Sequence, residues 1–511
     1  MLIAFLLHAS SAVVTFAATP VFNQFGKEGA YWCLYIGMWL FALGNGTCEA
    51  VINPLTATLF PRNKTHWLNI LHAGWPLGLI LGAVIVLGFG QVGQPIRWEY
   101  KLGVFLIPVL MYGLMMFNRV FPRSEAASAG ISLNVMMKQV GMLGFAVFAA
   151  LLGIMLKKEL PDLLGLLKIS APDWIGWAGA GVVWVIFGLC CGFAPGHFLI
   201  AFLYVLHALV GYVELGTDSW ITNITAQVLA DENKALLAFI WTNAMMFVLR
   251  FFAGPIVHKI SPIGLLFVSA CLGTLGLYLL SQDFTNSIWP WIAAVSVYGI
   301  GKTFYWPTML GVISERFPKG GALALGLCGG IGMMSAGLLG APGIGYKQDF
   351  FAVQKLQATS PATYERYVAR DDKGAHQTKG FPILSEYMPD KVPPVAGIDN
   401  AKLAIFKSYK GPDSKDPTSI EADLQILQAA KDKGEKVEEK QEQALLALKK
   451  WWDTEGKPHY SEDKEPLDKA QLYGSKTALL YTAAIPAALA VGYLLLLLYF
   501  KATGGYKQEH I

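Results

Sequence analysis

The sequence predicts an all-α transmembrane protein with about twelve spans and a large charged insert before the last span. Hydrophobic residues make up 54% of the chain and charged residues 15%, whereas about 25% of the residues in a soluble domain are charged. Roughly half of the charged residues fall in one segment, near residues 346–476. The rest of the chain is therefore apolar enough for a lipid bilayer. The net charge of +4 gives no sign of a nucleic-acid partner.

The spans are predicted from apolar runs of about 20 residues, the length that crosses the hydrocarbon core. In chain order they lie near 2–20, 31–57, 67–90, 102–121, 139–157, 173–193, 197–222, 236–257, 262–281, 287–313, 321–342 and 475–500. Residues 1–20 also end in small residues, as a signal peptide does. No basic residue precedes their apolar core, which favours a span.

Basic residues in the short links and the tail predict the orientation of the chain. One side carries Arg62, Lys64, Arg119, Arg123, Lys138, His258, Lys259, Arg316, Lys319, Lys501 and Lys507. The positive-inside rule places this side, and both termini, in the cytoplasm. Arg97, Lys101 and the 157–168 link go against this pattern. We expect a multi-pass protein of a bacterial cytoplasmic (inner) membrane.

The charged insert then lies outside the cytoplasm. Its second half, "TSIEADLQILQAAKDKGEKVEEKQEQALLALKKWW", predicts two helices broken at Gly434. A modest apolar side is formed by Leu424, Leu427, Leu445, Leu446 and Leu448. The prediction is a small helical subdomain, and the alternative is a partly disordered charged segment.

A carboxylate stands inside the second apolar run, in "GNGTCEAVINP" (44–54). A charge at the centre of a span costs at least a few kcal/mol, so Glu49 should have a partner or a task. The helical period places Asn45, Glu49 and Asn53 on one stripe. We interpret the stripe as facing a ligand, and the alternative is a hydrogen-bonded cluster that only joins helices.

An internal repeat relates this stretch to a later one. Gly46–Pro54 and Gly299–Pro307 both read glycine, two residues, a charge, three residues, a polar or aromatic residue, and proline. Each continues to a Phe-Pro-basic triplet and then to a glycine-rich span, although chance similarity is the alternative. Internal repeats are typical of secondary transporters. Glu49 and Lys302 hold the same position in the two windows, so we expect them to approach each other in one state.

The chain here resembles the major facilitator superfamily, and most closely the branch of the fucose permease. The resemblance is carried by "GNGTCEAVINPLTATLFP" (44–61) and "LNILHAGWPLGLILG" (68–82), which resemble the fourth and fifth helices of that branch. It implies a two-bundle helical fold and proton-coupled symport of small hydrophilic solutes, often sugars. Glu49 falls on the membrane acid that the family uses for coupling, Asn53 follows it, and His72 falls on a polar glutamine.

The second half also resembles the superfamily, through "YVELGTDSWI" (212–221) and "RFFAGPIVHKISP" (250–262). Two departures stand out. The equivalents of the first two helices are missing, as expected from truncation or a misplaced start codon, and two extra spans lie between the halves. The resemblance predicts an N-terminal bundle over 1–121, a linker with two extra helices over 122–195, a C-terminal bundle over 196–345, an extracytoplasmic insert over 346–474, and the last helix and tail over 475–511.

Further candidate residues lie on other spans. Asn69, His72 and Trp75 share a face and predict substrate contacts, with a packed polar cluster as the alternative. Glu214 and Asp218 are one turn apart and could share a proton, because like charges raise one of the two pKa values; a helix end touching water is the alternative.

Lys302 lies near the middle of its span, beside Tyr305 and Trp306, whose rings could stack on a sugar. The alternative is that Lys302 only pairs with Glu49, Glu214 or Asp218. Arg250, near an inner helix end, is interpreted as structural.

The function expected from these patterns is secondary active transport of a small solute with protons, and not enzymatic catalysis. No nucleotide-binding, metal-ligand or nucleophile motif stands out, so no cofactor or metal site is predicted. The six cysteines read as small core residues. The alternative function is a transport-inactive membrane sensor or scaffold, whose 346–474 insert binds an extracytoplasmic protein.

Overall fold

The computed structural model describes residues 1–90, 96–166, 169–172, 174–229, 231–283, 288–371, 373–414, 416–432, 437 and 439–511. In this part of the chain, regular structure is almost entirely helical. The exceptions are two short strands in the insert, Thr378–Lys379 (β1) and Val395–Ala396 (β2), which pair antiparallel. The prediction of an all-α membrane protein is confirmed at this level.

The helices that precede the insert are α1 (Leu2–Phe16), α2 (Ala18–Leu59), α3 (Lys64–His72), α4 (Gly74–Gly90), α5 (Trp98–Gly103), α6 (Leu106–Met116), α7 (Glu125–Ser128), α8 (Leu133–Leu166), α9 (Ile175–Cys191), α10 (Phe198–Leu229), α11 (Glu232–Arg250), α12 (Ala253–Ile260), α13 (Pro262–Leu280), α14 (Ile288–Lys302), α15 (Tyr305–Arg316), α16 (Gly321–Ser335) and α17 (Ala341–Thr359). Those that follow are α18 (Pro361–Tyr367), α19 (Leu384–Tyr387), α20 (Asn400–Ser408), α21 (Ser419–Asp432), α22 (Glu439–Trp451), α23 (Tyr460–Thr482) and α24 (Ala484–Ala502).

Seven helical stretches of the described chain are long and apolar enough to cross a membrane, or nine if two bent pairs each count as one span. The seven are Lys64–Phe89, Trp98–Met116, Leu133–Gly165, Phe198–Leu229, Pro262–Leu280, Pro318–Thr359 and Tyr460–Ala502. The bent pairs are α1 with α2 and α11 with α12, each bent by 62°. The protein is therefore multi-pass. The higher predicted number stays a prediction, because α9 has only 17 residues and the run at 287–313 forms two short helices.

Contacts divide the chain into two compact units. Unit 1 comprises Met1–Thr47, Ile96–Phe117 and Tyr346–Ser475, and unit 2 comprises Cys48–Pro95, Asn118–Gly345 and Lys476–Ile511.

Unit 2 holds the large hydrophobic core, in which Tyr204, Leu310 and Ile331 are fully buried. Its helix α8 closely approaches the loop before α10 at two glycines. Gly141 kinks α8 with φ +62°, and a Cβ there would lie 2.1 Å from the backbone nitrogen of Gly196. Only glycine fits at position 141, because a Cβ there would clash with the backbone of Gly196.

The insert, within unit 1, has a hydrophobic core of its own. Tyr367 and Leu467 are fully buried, and the ring of Tyr367 packs edge-on against Phe406. Asp463 is also fully buried, where it pairs with Arg366 and accepts a hydrogen bond from Thr363 at 2.6 Å. The predicted pair of helices is present as α21 and α22, and the predicted break at Gly434 lies outside the described residues.

Candidate functional site

A small cavity lies inside unit 2, among α2, α3, α4, α10, α11, α15 and α16. Its walls are Glu49, His72, Trp75, Glu214, Leu215, Arg250, Trp306 and Met333. The volume is about 20 Å³, enough for one water molecule. Five residues that the sequence singled out, on four different spans, therefore meet at one place; they are Glu49, His72, Trp75, Glu214 and Trp306. A cavity of this volume is too small for a molecule of monosaccharide size.

Arg250 organises the cavity through two prolines. A proline has no N–H, so it leaves the carbonyl four residues earlier in a helix without its normal donor. Pro76 does this to His72, and Pro307 does it to Thr303. The Arg250 guanidinium donates to both carbonyls, from Nη1 to His72 O and from Nε to Thr303 O at 2.9 Å. One buried cation thus joins a break in the first half of the predicted repeat to a break in the second.

Glu214, on α10, also contacts Arg250, and we call Arg250, Glu214 and the carbonyls of His72 and Thr303 the polar joint. One carboxylate oxygen accepts from Arg250 Nη2 at 3.4 Å, and the other accepts from the backbone N–H of Trp306 at 3.2 Å. The Trp306 N–H lies in the first turn of α15, where amides have no partner within the helix. Both side chains of the ion pair are almost completely buried. Removing either partner would leave a buried charge unpaired, which is far more costly than the pair itself.

The predicted polar stripe on α2 makes contacts in both units. In unit 2, the Asn53 side chain interacts with Glu49, and Asn53 Oδ1 lies 3.1 Å from His72 Nε2. In unit 1, Asn45 Oδ1 lies 3.1 Å from His8 Nε2. No basic side chain within salt-bridge distance of Glu49 is seen among the described residues. Glu49 is thus the carboxylate of the cavity that has no paired cation among the described residues, whereas Glu214 pairs with Arg250.

Asp218, one turn further along α10, forms a second ion pair with Lys302, in which Lys302 is buried and Asp218 is partly buried. They line a separate pocket of about 10 Å³ with Tyr298, Thr242 and Asn243. The sequence left three carboxylates as candidate partners of Lys302, and in the structure Lys302 pairs with Asp218. Glu214 and Asp218 each face their own cation, and the sharing of a proton between them stays a prediction. A Glu49–Lys302 approach in another state stays a prediction.

Two other predicted substrate residues lie in packing contacts. Asn69 is fully buried and donates to Thr65 O at 2.8 Å and to Thr308 Oγ1 at 3.2 Å. Tyr305 is also fully buried, and its hydroxyl donates to Ser269 O at 3.1 Å. Neither lines the cavity. For Asn69 the structure favours the alternative of a packed polar cluster between α3 and α15.

One end of unit 2 is closed by a second polar cluster. Lys64 pairs with Glu125 at 2.5 Å and donates to Ser314 O at 3.2 Å. Glu315 Oε1 accepts from the N–H and the hydroxyl of Thr65, and its Oε2 accepts from the hydroxyl of Tyr506 at 2.8 Å. These bonds hold α3 against α15 and fasten the C-terminal tail across both.

Two buried polar residues escaped the interpretation of the sequence as site residues. Arg250 could have been found from Pro76 and Pro307, because each proline predicts an unpaired carbonyl inside a span. His207 lies seven residues before Glu214, on the same face of α10. It is fully buried against the ring of Trp306, and neither ring nitrogen has a hydrogen-bond partner within the described chain.

No protein-family model matches the chain, and no curated protein sequence is significantly similar to it.

Proposed function

We propose that the chain is a secondary active transporter of the major-facilitator type. It carries a small hydrophilic solute, such as a sugar, together with protons, and it works by alternating access. The proposal places it in a bacterial inner membrane, with both termini in the cytoplasm.

The observation that carries this proposal is the cavity at two helix breaks, with Arg250 bonded to a carbonyl on each side. Transporters commonly place their substrate where discontinuous helices of two repeats meet near the bilayer midplane. Here the first half supplies Glu49, His72 and Trp75, and the second half supplies Glu214 and Trp306.

The chemistry of the cavity suits a neutral solute. The Arg250 guanidinium is already engaged by Glu214 and two carbonyls, and Lys302 is engaged by Asp218. No free cation of the described lining remains to attract an anion. Indole rings at Trp75 and Trp306 offer flat apolar faces for a sugar ring, and the Glu49 carboxylate offers a hydrogen-bond acceptor.

Glu49 is proposed to carry the coupling proton. The ionised carboxylate is stabilised by water, so it favours a conformation in which the cavity is open to solvent. When it is protonated, the charge no longer opposes closure around the solute. Glu214 and Asp218 are proposed as further proton-coupling groups, because protonation of either one would release its partner cation and loosen a contact between helices.

Opening of the closed end would require α3 to separate from α15. The bonds that then break are Lys64 to Ser314 O, Thr65 to Glu315 and Asn69 to Thr308. The polar joint at Arg250 lies beside the cavity, so solute binding and rearrangement of these helices can be linked there.

The test uses the purified chain in proteoliposomes that contain a pH-sensitive dye. A panel of neutral monosaccharides is added outside, and a transported sugar should acidify the lumen only in vesicles that contain protein. Sugar-dependent acidification supports symport, whereas alkalisation would contradict it. If no sugar of the panel moves protons or exchanges with its labelled form, transport of this class is refuted.

The second candidate function is a sensor or scaffold that acts through the insert. The observation in its favour is the insert's own core around Tyr367, Phe406 and Leu467. A folded module of this kind suits binding of an extracytoplasmic protein. If deletion of 361–459 left sugar-dependent proton movement intact, the insert would have a task separate from transport.

A further inference from the structure

A second, larger cavity opens in unit 2 where the loop before α3 meets α12. Its volume is about 530 Å³. The lining includes Arg62, His66, His258 and Lys259, with Ser261 at the rim. None of these residues takes part in the proposed transport site.

The cavity is positively charged. Arg62, His258 and Lys259 are exposed, and none of them has a carboxylate within salt-bridge distance in the described part of the chain. The carboxylate that does line the cavity, Glu315, has both oxygens engaged by Thr65 and Tyr506. Two permanent cations therefore face this pocket against one carboxylate, which lies beyond salt-bridge distance of both.

His66 ties the two sides of this pocket together. Its Nδ1 accepts the backbone N–H of Gly254 at 3.1 Å, so a neutral ring carries its proton on Nε2. His258 lies close enough to interact with it electrostatically. The two imidazoles add donors to the cations of Arg62 and Lys259, which together match the several acceptor oxygens of a phosphate group.

The surface beside the pocket is apolar. α12 is bent by 62° from α11. Phe251 and Phe252 at the bend and Ile260 at the end of α12 are exposed at 44%, 54% and 41%. A short amphipathic helix at an angle to its span is typical of an element that lies at the membrane surface. Acyl chains would cover these rings while a headgroup reached the basic pocket.

We propose that this pocket binds the phosphate headgroup of an anionic phospholipid. Basic pockets between spans on the cytoplasmic side are suited to such headgroups. The same chemistry would also accept the phosphate of a soluble metabolite, and the test separates the two sources. This site is independent of the transported solute and holds whether or not the chain is a transporter.

The experiment titrates the purified full-length protein in neutral detergent with short-chain dioctanoyl phosphatidylglycerol, dioctanoyl phosphatidylcholine or inorganic phosphate. Binding is followed by thermophoresis. Phosphatidylglycerol should bind and phosphatidylcholine should not. In the double variant Arg62→Gln/Lys259→Gln, binding of phosphatidylglycerol should weaken about 25-fold, because each basic residue near a membrane surface contributes roughly a factor of five.

The matched control is Lys138→Gln/Lys319→Gln, which removes two exposed basic residues from outside the pocket. Its affinity should stay within about twofold of the wild type, since nonspecific attraction alone depends weakly on two charges. Equal weakening of both double variants, or no binding of phosphatidylglycerol, overturns the site. Tight binding of inorganic phosphate, lost in the pocket variant, overturns the lipid and assigns the pocket to a soluble anion.

Discussion

Replacement of Arg250 by methionine tests the polar joint at the cavity. The change keeps most of the side-chain volume and leaves the Glu214 carboxylate buried and unpaired. It also removes the hydrogen-bond donors of the His72 and Thr303 carbonyls. Loss of one partner of a buried ion pair costs about 3 to 5 kcal/mol. Two hydrogen bonds add about 1 kcal/mol each. The free energy of unfolding should therefore fall by about 5 kcal/mol or more.

The assay is reversible unfolding in mixed micelles with a denaturing detergent, followed by circular dichroism. Adding Glu214→Gln to Arg250→Met should recover about 3 kcal/mol, because no buried charge then remains. Adding Pro307→Ala to Arg250→Met should recover about 1 kcal/mol, since the new N–H can reach Thr303 O. Strictly additive losses in both double variants would show that Arg250 is not energetically coupled to Glu214 or to the break at Pro307.

Three further results are expected. His207→Leu should raise the unfolding free energy by about 1 kcal/mol, because an unpartnered buried polar ring is removed; a lower value would show that His207 has partners that stabilise the fold. Lys302→Met should show strong coupling to Asp218→Asn in a double-mutant cycle, and weaker coupling to Glu49→Gln; the reverse ranking would favour the Glu49–Lys302 pair. A cysteine at Lys440, which is exposed on α22, should react in intact cells with a membrane-impermeant maleimide once the outer membrane is permeabilised. Reaction only after the inner membrane is broken would reverse the predicted topology.

The sequence was sufficient to predict a helical membrane protein. It also singled out several residues that line one cavity in the structure. Hydropathy finds spans because every crossing segment must be apolar and must satisfy its own backbone. A charge inside an apolar run is conspicuous for the same reason, which is why Glu49 and Glu214 stood out. The repeat predicted that Glu49 and Lys302 approach each other in one state, whereas Lys302 pairs with Asp218 in this structure.

Pairing between side chains could not be read from spacing. Lys302 had three candidate partners on two helices, and only the rotation of α10 against α14 selects Asp218. Asn69 and His72 share one face of α3, yet Asn69 turns to Thr308 while His72 lines the cavity. The helix period gives the face of a residue, whereas the neighbouring helix decides its partner.

The β1–β2 pair was missed because each strand has only two residues. Such short segments show no alternation of polar and apolar residues.

Proton-driven uptake by Glu49→Gln in proteoliposomes tests the central claim most directly. Glutamine keeps the shape and hydrogen-bonding capacity of a protonated glutamate but cannot release a proton. Uphill accumulation of a transported sugar under an imposed pH gradient should vanish in this variant, while exchange of labelled for unlabelled sugar continues. Glu232→Gln, at an exposed helix start, should retain both activities. Normal proton-driven accumulation by Glu49→Gln would contradict the assignment of the coupling proton to Glu49.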